Sequence, residues 1–276
     1  METFFSFFKS HLKSLCSSLE LHDFIFLVGQ KLTGLSKVAL MTKECVLNES
    51  QKLLFSRYCK ELSENRPIQY VLGETDFCEL KIKVDERALI PRVETSELVD
   101  FVLDSAVKGA KILDIGTGSG CIAIALAKKI LNSSVTAYDI SEEALLLAAE
   151  NAHLNNVEVF FRQVDILNGA DSNEDFDVIV SNPPYIKLSE REEMCSNVLD
   201  YEPHLALFVP NNDPLIFYRA IIDFAKKHLL PTGSLFFEIN RAFSQEIKEM
   251  LNEKGFSKVE IRKDMFGNDR MIRACF

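Results

Sequence analysis

From Lys111 onward the chain alternates short β-branched runs with longer helical patterns, and few folds accept that alternation. Strands are expected at 111–115, 135–139, 157–161, 177–181 and 234–239, and helices at 119–131, 141–154, 215–230 and 242–254. A strand followed by a crossover helix returns to its sheet as a parallel neighbour. The series therefore predicts a doubly wound α/β fold around a mostly parallel sheet. Two further strands, near 258–264 and 270–276, flank Phe266-Gly267-Asn268-Asp269, a tight-turn sequence. They add an antiparallel edge hairpin and bring the sheet to seven strands.

Ahead of this region the pattern is different. Phe4, Phe5, Phe8, Leu12 and Leu15 recur at helical spacing, as do Leu21, Phe24, Ile25 and Val28. Helical segments follow near 33–45 and 49–63, with Asn48 or Ser50 as the cap of the latter. Residues 1–75 read as a small all-α domain suited to recognising a partner, because they hold no catalytic cluster. Residues 76–92 read as a β-hairpin connector, in which Phe77 through Val84 show strand alternation, with Leu80, Ile82 and Val84 alternating with Lys81 and Lys83. Thr95 or Ser96 then caps a helix with Leu98, Val99, Phe101 and Val102 inside, opening the α/β domain at 93–276.

Charge and cysteine usage exclude several classes. The net charge is -10, yet residues 1–75 carry nine Lys/Arg and eight Asp/Glu, so the α/β region is the acidic part. That disfavours a duplex-DNA footprint, which needs a basic stripe. No apolar run approaches the ~18 residues of a membrane span, and the N-terminus lacks a signal-peptide pattern. The seven cysteines are scattered without a C-x-x-C pair, and the five histidines show no ligand spacing. No metal site and no disulfide framework is expected, and a reducing cytoplasm is the natural compartment.

Two constellations carry chemistry. The first is Lys111-Ile112-Leu113-Asp114-Ile115 running into Gly116-Thr117-Gly118-Ser119-Gly120 and a helix. A glycine-rich turn between strand and helix lets backbone approach a ligand closely. Its G-x-G-x-G spacing departs from the dinucleotide fingerprint, which weakens a dehydrogenase reading, and Asp114 beside it suits a zwitterionic amino-acid end better than a pyrophosphate. Asp139, 19 residues beyond Gly120, closes the next strand and suits two ribose hydroxyls, or else caps the following helix, as Ser141 does equally well. Asp165 follows the third strand, placed for an adenine amino group or left as an exposed loop acid.

The second constellation is Asp177-Val178-Ile179-Val180-Ser181-Asn182-Pro183-Pro184-Tyr185. It reads as a buried strand stopped by two prolines, which lack a ladder N–H. Asn182 is then held at the carboxyl end of a central strand, where open α/β sheets bind ligands. Its side-chain oxygen and the Pro183 carbonyl are two acceptors suited to one planar –NH2 group, and Tyr185 adds an aromatic face. Taken alone, the stretch is equally an ordinary proline turn.

Together these residues resemble the class I S-adenosylmethionine methyltransferases that act on nitrogen. Arg66-Pro67-Ile68-Gln69-Tyr70-Val71-Leu72-Gly73, Leu89-Ile90-Pro91-Arg92-Val93-Glu94-Thr95, Tyr201-Glu202-Pro203, Phe217-Tyr218-Arg219 and Gly267-Asn268-Asp269-Arg270 narrow the resemblance to the release-factor glutamine methyltransferases. It covers the chain from about residue 60 onward. The resemblance implies a Rossmann-like sheet, S-adenosyl-L-methionine as cofactor, and class-1 peptide chain release factors as partners, methylated on the glutamine amide of their Gly-Gly-Gln motif by a monomer. It implies that Gly116, Thr117, Gly118, Ser119, Gly120, Asp139, Asp165, Ile166 and Asn182 bind the cofactor. Asn182, Pro183, Pro184 and Tyr185 would hold the glutamine, with Asn182, Pro183 and Tyr185 catalytic. This sequence departs from the family pattern at Val93, at Ile166, at 209–214 and at Asn240. The rival expectations are a nucleic-acid amino-methyltransferase, which shares Asn-Pro-Pro-Tyr, and a non-catalytic protein that binds S-adenosylmethionine and docks partners.

Overall fold

A computed structural model describes residues 2–170 and 172–276. The chain divides into two compact units, one formed by the residues up to Glu74 with Cys195–Tyr201, the other by Thr75–Met194 and Glu202–Phe276.

The first unit holds α1 (Phe4–Leu12), α2 (Leu21–Thr33), α3 (Lys37–Thr42), α4 (Glu49–Ser63) and α5 (Ile68–Leu72). Phe4, Phe8 and Leu12 of α1, Ile25, Val28 and Leu32 of α2, and Phe55, Tyr58 and Leu62 of α4 form one buried cluster, as their helical spacing requires. Asn48 caps α4: its side chain accepts from the Gln51 amide while the Gln51 side chain accepts from the Asn48 amide. Helix α9 (Ser196–Tyr201), far along the chain, belongs to this unit. Asn65 Nδ2 donates to Ser196 Oγ at 2.9 Å, and the Tyr201 hydroxyl donates to the Glu64 carbonyl at 2.8 Å.

The second unit begins inside the first strand of a hairpin, β1 (Glu74–Phe77) and β2 (Leu80–Lys83). Its turn falls on Cys78 and Glu79, both at positive φ, so the apolar alternation from Phe77 spans a turn as well as a strand. Helix α6 (Val93–Leu103) starts ahead of Thr95 and Ser96, with Arg92 extended at its N-cap and no side-chain cap. Thr95 is instead buried inside the first turn, and its hydroxyl is used elsewhere.

The main sheet contains β3 (Lys111–Ile115), β4 (Ser134–Asp139), β5 (Phe160–Gln163), β6 (Phe176–Ser181), β9 (Leu229–Glu238), β10 (Lys258–Lys263) and β11 (Asp269–Cys275). The short β7 (Ile186–Lys187) and β8 (Phe208–Val209) pair apart from it. The order β10-β11-β9-β6-β3-β4-β5 has β3, β4, β5, β6 and β9 parallel, while β11 runs antiparallel to β9 and β10. This is the expected doubly wound, mostly parallel seven-stranded sheet. The crossovers include α7 (Cys121–Lys129), α8 (Glu142–Leu154), α10 (Ile216–His228) and α11 (Ser244–Glu253). The chain leaves β3 toward β4 and β5 on one side, then returns to β6 and β9 on the other. The crevice outside the carboxyl ends of β3 and β6 is therefore the switch point where such sheets bind ligands.

The third strand lies three residues later than its apolar pattern at 157–161 suggests. Asn156 takes a left-handed conformation after α8, and the Val157 amide donates to the Ala152 carbonyl. The helix cap consumes the residues that would have opened the strand.

Candidate active site

The switch point is assembled by hydrogen bonds between strand ends. The Ser181 hydroxyl donates to the Ile115 carbonyl at 2.6 Å, joining the ends of β6 and β3. The amides of Gly116 and Thr117 donate to the Tyr138 carbonyl at 2.8 and 3.0 Å, drawing the glycine turn onto β4. Asp114, fully buried, accepts from the Thr117 hydroxyl at 2.6 Å and the Ala123 amide at 3.2 Å with one oxygen. Its other oxygen is buried without a partner. Burial, opposed by those two donors, pushes this carboxyl up to about 7. Asp114 stands behind the wall and shapes the turn, where the sequence placed it beside a ligand's amino-acid end.

A cavity of about 230 Å³ opens at this crevice. Gly116, Thr117, Gly118 and Ser119 line it, as do Asp139, Asp165 and Ile166, together with Asn182, Pro183 and Pro184. The structure thus brings the glycine turn, both aspartates and the proline corner to one space. Gly120 does not line the cavity. It caps α7 at φ 81°, and a Cβ there would lie 3.0 Å from the Cβ of Ala148. Its role is close packing of α7 on α8. Gly116, at φ 75°, faces open space, where a Cβ would meet no protein atom within 4 Å.

Asp139 is held from both sides. Its Oδ2 accepts from the Gly118 amide at 2.8 Å and its Oδ1 from the Ser141 amide at 2.9 Å. Each oxygen keeps a lone pair, and burial raises the carboxyl against these donors. The cap of α8 is Ser141, whose hydroxyl accepts from the Ala144 amide. Asp165 lines the cavity, yet both its oxygens already serve its own 3-10 turn, accepting from the Leu167 amide and from Asn168 Nδ2. Ile140 and Leu167, also in the wall, are 43% and 40% exposed, an apolar surface that a flat ring would cover. These features fit S-adenosylmethionine: a turn without side chains for the amino-acid end, a preset carboxylate for a ribose, and apolar flanks for a purine.

Tyr185, like Gly120, is an expected site residue that stands apart from the cavity. It does not line the cavity, and its ring packs on the core beneath β6 and β9. Burial raises its hydroxyl, which stays protonated and donates to Glu238 Oε1 at 3.1 Å. Glu238, 2% exposed at the end of β9, accepts at its other oxygen from the Thr95 hydroxyl at 2.7 Å. Asn182 Nδ2 donates in turn to Thr95 Oγ1 at 3.2 Å. Burial raises the Glu238 carboxyl, opposed by Thr95, Tyr185 and Arg270. Thr95 and Glu238 escaped the sequence reading because one looked like a helix cap and the other like the end of a core strand. Their only signal was a carboxylate closing an otherwise apolar run.

Another buried carboxylate holds the cavity's rim. Glu202, 3% exposed, accepts from the Ile90 amide at 3.1 Å and from Arg92 Nη2 at 2.5 Å. Ile90, Arg92 and Pro203 all line the cavity, so this pair joins two of its loops. Among the described residues no group of His, Cys, Asp and Glu is placed to hold a metal ion. Of the departures, Val93 is exposed, Ile166 lines the cavity, and Asn240 caps a 3-10 turn by accepting from the Ala242 amide.

The methyltransferase small domain family matches residues 93–200. A release factor glutamine methyltransferase of Flavobacterium psychrophilum is 45% identical over 275 residues, which are 98% of this chain and 96% of that one. Another, from Lactococcus lactis subsp. lactis, is 46% identical over 252 residues, covering 91% and 92% of the two chains. Among solved structures, a methyltransferase from Pyrococcus furiosus shares the fold, with a TM-score of 0.53 and 24% identity over 71% of this chain and 88% of that one.

Proposed function

The chain belongs to the release factor glutamine methyltransferase family, and from that premise we propose how its residues carry the reaction. It is an S-adenosylmethionine-dependent enzyme that methylates the side-chain amide nitrogen of a release-factor glutamine, the one in the Gly-Gly-Gln motif. The observation that carries the residue assignment is that Asn182 and Pro183 stand in the wall of the same cavity as Gly116, Gly118 and Asp139.

Gly116, Thr117, Gly118 and Ser119 cradle the amino-acid end of the cofactor, and Asp139 accepts from its ribose hydroxyls. Ile140, Ile166 and Leu167 cover the purine. Asp165 has each oxygen taken once by its 3-10 turn, as Asp139 has each taken once by an amide, and keeps a lone pair on each for the adenine amino group. When bound, S-adenosylmethionine supplies an electrophilic methyl group on a sulfonium.

An amide nitrogen is a poor nucleophile because its lone pair is delocalised into the carbonyl. Asn182 Oδ1 and the Pro183 carbonyl accept the two amide hydrogens, while Pro184 stiffens the corner. Fixing the nitrogen at ~3–3.5 Å from its target is worth ~7–11 kcal/mol in favourable cases. The same two oxygens stabilise positive charge developing on nitrogen, as preset dipoles do in a closed site. Tyr185 contributes from behind, through Glu238. The proton leaves to water.

The same reading has the enzyme working as a cytoplasmic monomer on protein, without direct nucleic-acid contact, in keeping with a net charge of -10. Among the described residues no helix is long and apolar enough to cross a membrane. The test is mass spectrometry of a release factor after incubation with enzyme and cofactor. One added methyl on the Gly-Gly-Gln glutamine is expected, and none with Asn182→Ala, which still binds the cofactor. Near-normal turnover by Asn182→Ala would refute the assignment.

A further inference from the structure

We propose that Thr95 and Glu238 are positioning residues that decide which end of the Asn182 carboxamide faces the substrate. This rests on the acceptor role given to Asn182 above, and it assigns that role's orientation to side chains from two other elements.

A primary amide offers an oxygen on one side and an –NH2 on the other, and rotation by half a turn exchanges them at little steric cost. Only the oxygen end accepts the hydrogens of a glutamine amide. With the –NH2 turned to the cavity, donor would face donor. The orientation therefore has to be set from outside Asn182.

Thr95 sets it through the single proton of its hydroxyl. With Glu238 ionised, the form its two hydroxyl donors and Arg270 favour, that proton goes to Oε2, 2.7 Å away, because a carboxylate accepts and does not donate. Thr95 Oγ1 is left with lone pairs only, and its remaining neighbour is Asn182 Nδ2 at 3.2 Å. Asn182 consequently turns its –NH2 toward Thr95 and its oxygen away. Glu238 is 2% exposed and stands outside the cavity lining, and Thr95, which lines the cavity, is only 3% exposed, so little water competes for either partner. Glu238 Oε1 accepts from the Tyr185 hydroxyl, and its main-chain carbonyl accepts from the Tyr218 hydroxyl, which hold it in place. The series of donors runs in one direction, from Asn182 to Thr95 to Glu238. Its three members come from the end of β6, the first turn of α6 and the end of β9.

The test compares kcat, KM for a release factor, cofactor affinity and melting temperature across four proteins beside the unmodified chain. Thr95→Ser keeps the hydroxyl and retains most of kcat. Thr95→Val removes it at equal volume and frees Asn182 to rotate; kcat falls about 10-fold or more, with cofactor affinity within about twofold, less than the ~10²–10³ seen when a transition-state donor is deleted outright. Glu238→Gln can donate to Thr95, whose proton then passes to Asn182 and turns the –NH2 outward. Its kcat falls at least as far as that of Thr95→Val. The double variant is no slower than the worse single variant, because both act through one amide.

A purely structural role would lower the melting temperature and weaken cofactor binding alongside kcat. Thr95→Val with the kcat of Thr95→Ser, or losses that multiply in the double variant, would overturn the proposal. If Glu238→Gln fails to fold, the Ser and Val variants decide it alone. If the unmodified chain leaves the release-factor glutamine unmethylated, the acceptor role of Asn182 falls first, and this orientation with it.

Discussion

Two glycines of one turn should fail in different ways when each gains a single methyl group. Gly120 caps α7 at φ 81°, and an alanine Cβ there would lie 3.0 Å from both the Ala148 Cβ and the Ile124 Cδ1, and 3.3 Å from the Ala148 Cα. The left-handed conformation costs about 1–2 kcal/mol for a residue with a Cβ. Overpacking between α7 and α8 adds about 1–3 kcal/mol, because main chain as well as side chain must move. Gly120→Ala is thus expected to destabilise by about 2–5 kcal/mol. Gly116 has nearly the same φ, 75°, but its Cβ would meet no protein atom. Gly116→Ala should cost only the conformational part, about 1–2 kcal/mol. Its methyl would occupy space assigned to the cofactor, so affinity should drop by about 5- to 150-fold if the clash is worth ~1–3 kcal/mol. Urea unfolding at unchanged slope gives the first pair of numbers, and calorimetric titration with S-adenosylmethionine gives the second. Equal midpoints for the two variants would refute the packing argument for Gly120. Unaltered cofactor affinity in Gly116→Ala would remove the glycine turn from the site.

The buried carboxylates give two more expectations. Asp114, raised from its ordinary 3.8 to about 7, favours the folded state while protonated. That contribution is complete below about pH 4 and lost as pH rises through 7, so the stability of Asp114→Asn relative to the unmodified chain should grow by about 4 kcal/mol over this window. A difference flat with pH would contradict the assigned burial. Arg92→Met strands the buried Glu202 carboxylate, which keeps only the Ile90 amide. A loss of about 2 kcal/mol in denaturant is expected, recovered in part by adding Glu202→Gln, and no recovery would count against a charge origin.

The sheet was legible because its signals are local. The runs Lys111–Ile115 and Phe176–Ser181 are apolar and β-branched, and the Gly and Pro residues that follow them limit φ at the point where each strand ends. Where a local signal served two elements, the element bounds shifted. Val157 belongs to the cap of α8, and Cys78-Glu79 to a turn within what looked like one strand. At the site, the residues at strand ends were found together as expected, while Gly120 and Tyr185 proved to support the cavity without lining it.

Periodicity along the chain determined which faces are buried, where the strands stop, and that a glycine turn and a proline corner end neighbouring strands. It could not determine which buried groups meet, because hydrogen-bond partners are set by the order of strands in space. Thr95 and Glu238 are 143 residues apart, and Thr95 and Asn182 are 87 apart. Only the placement of β6 beside β9, with the first turn of α6 at their ends, joins them. The same holds for Ser196–Tyr201, whose sequence lies inside the α/β region and whose hydrogen bonds lie in the helical unit.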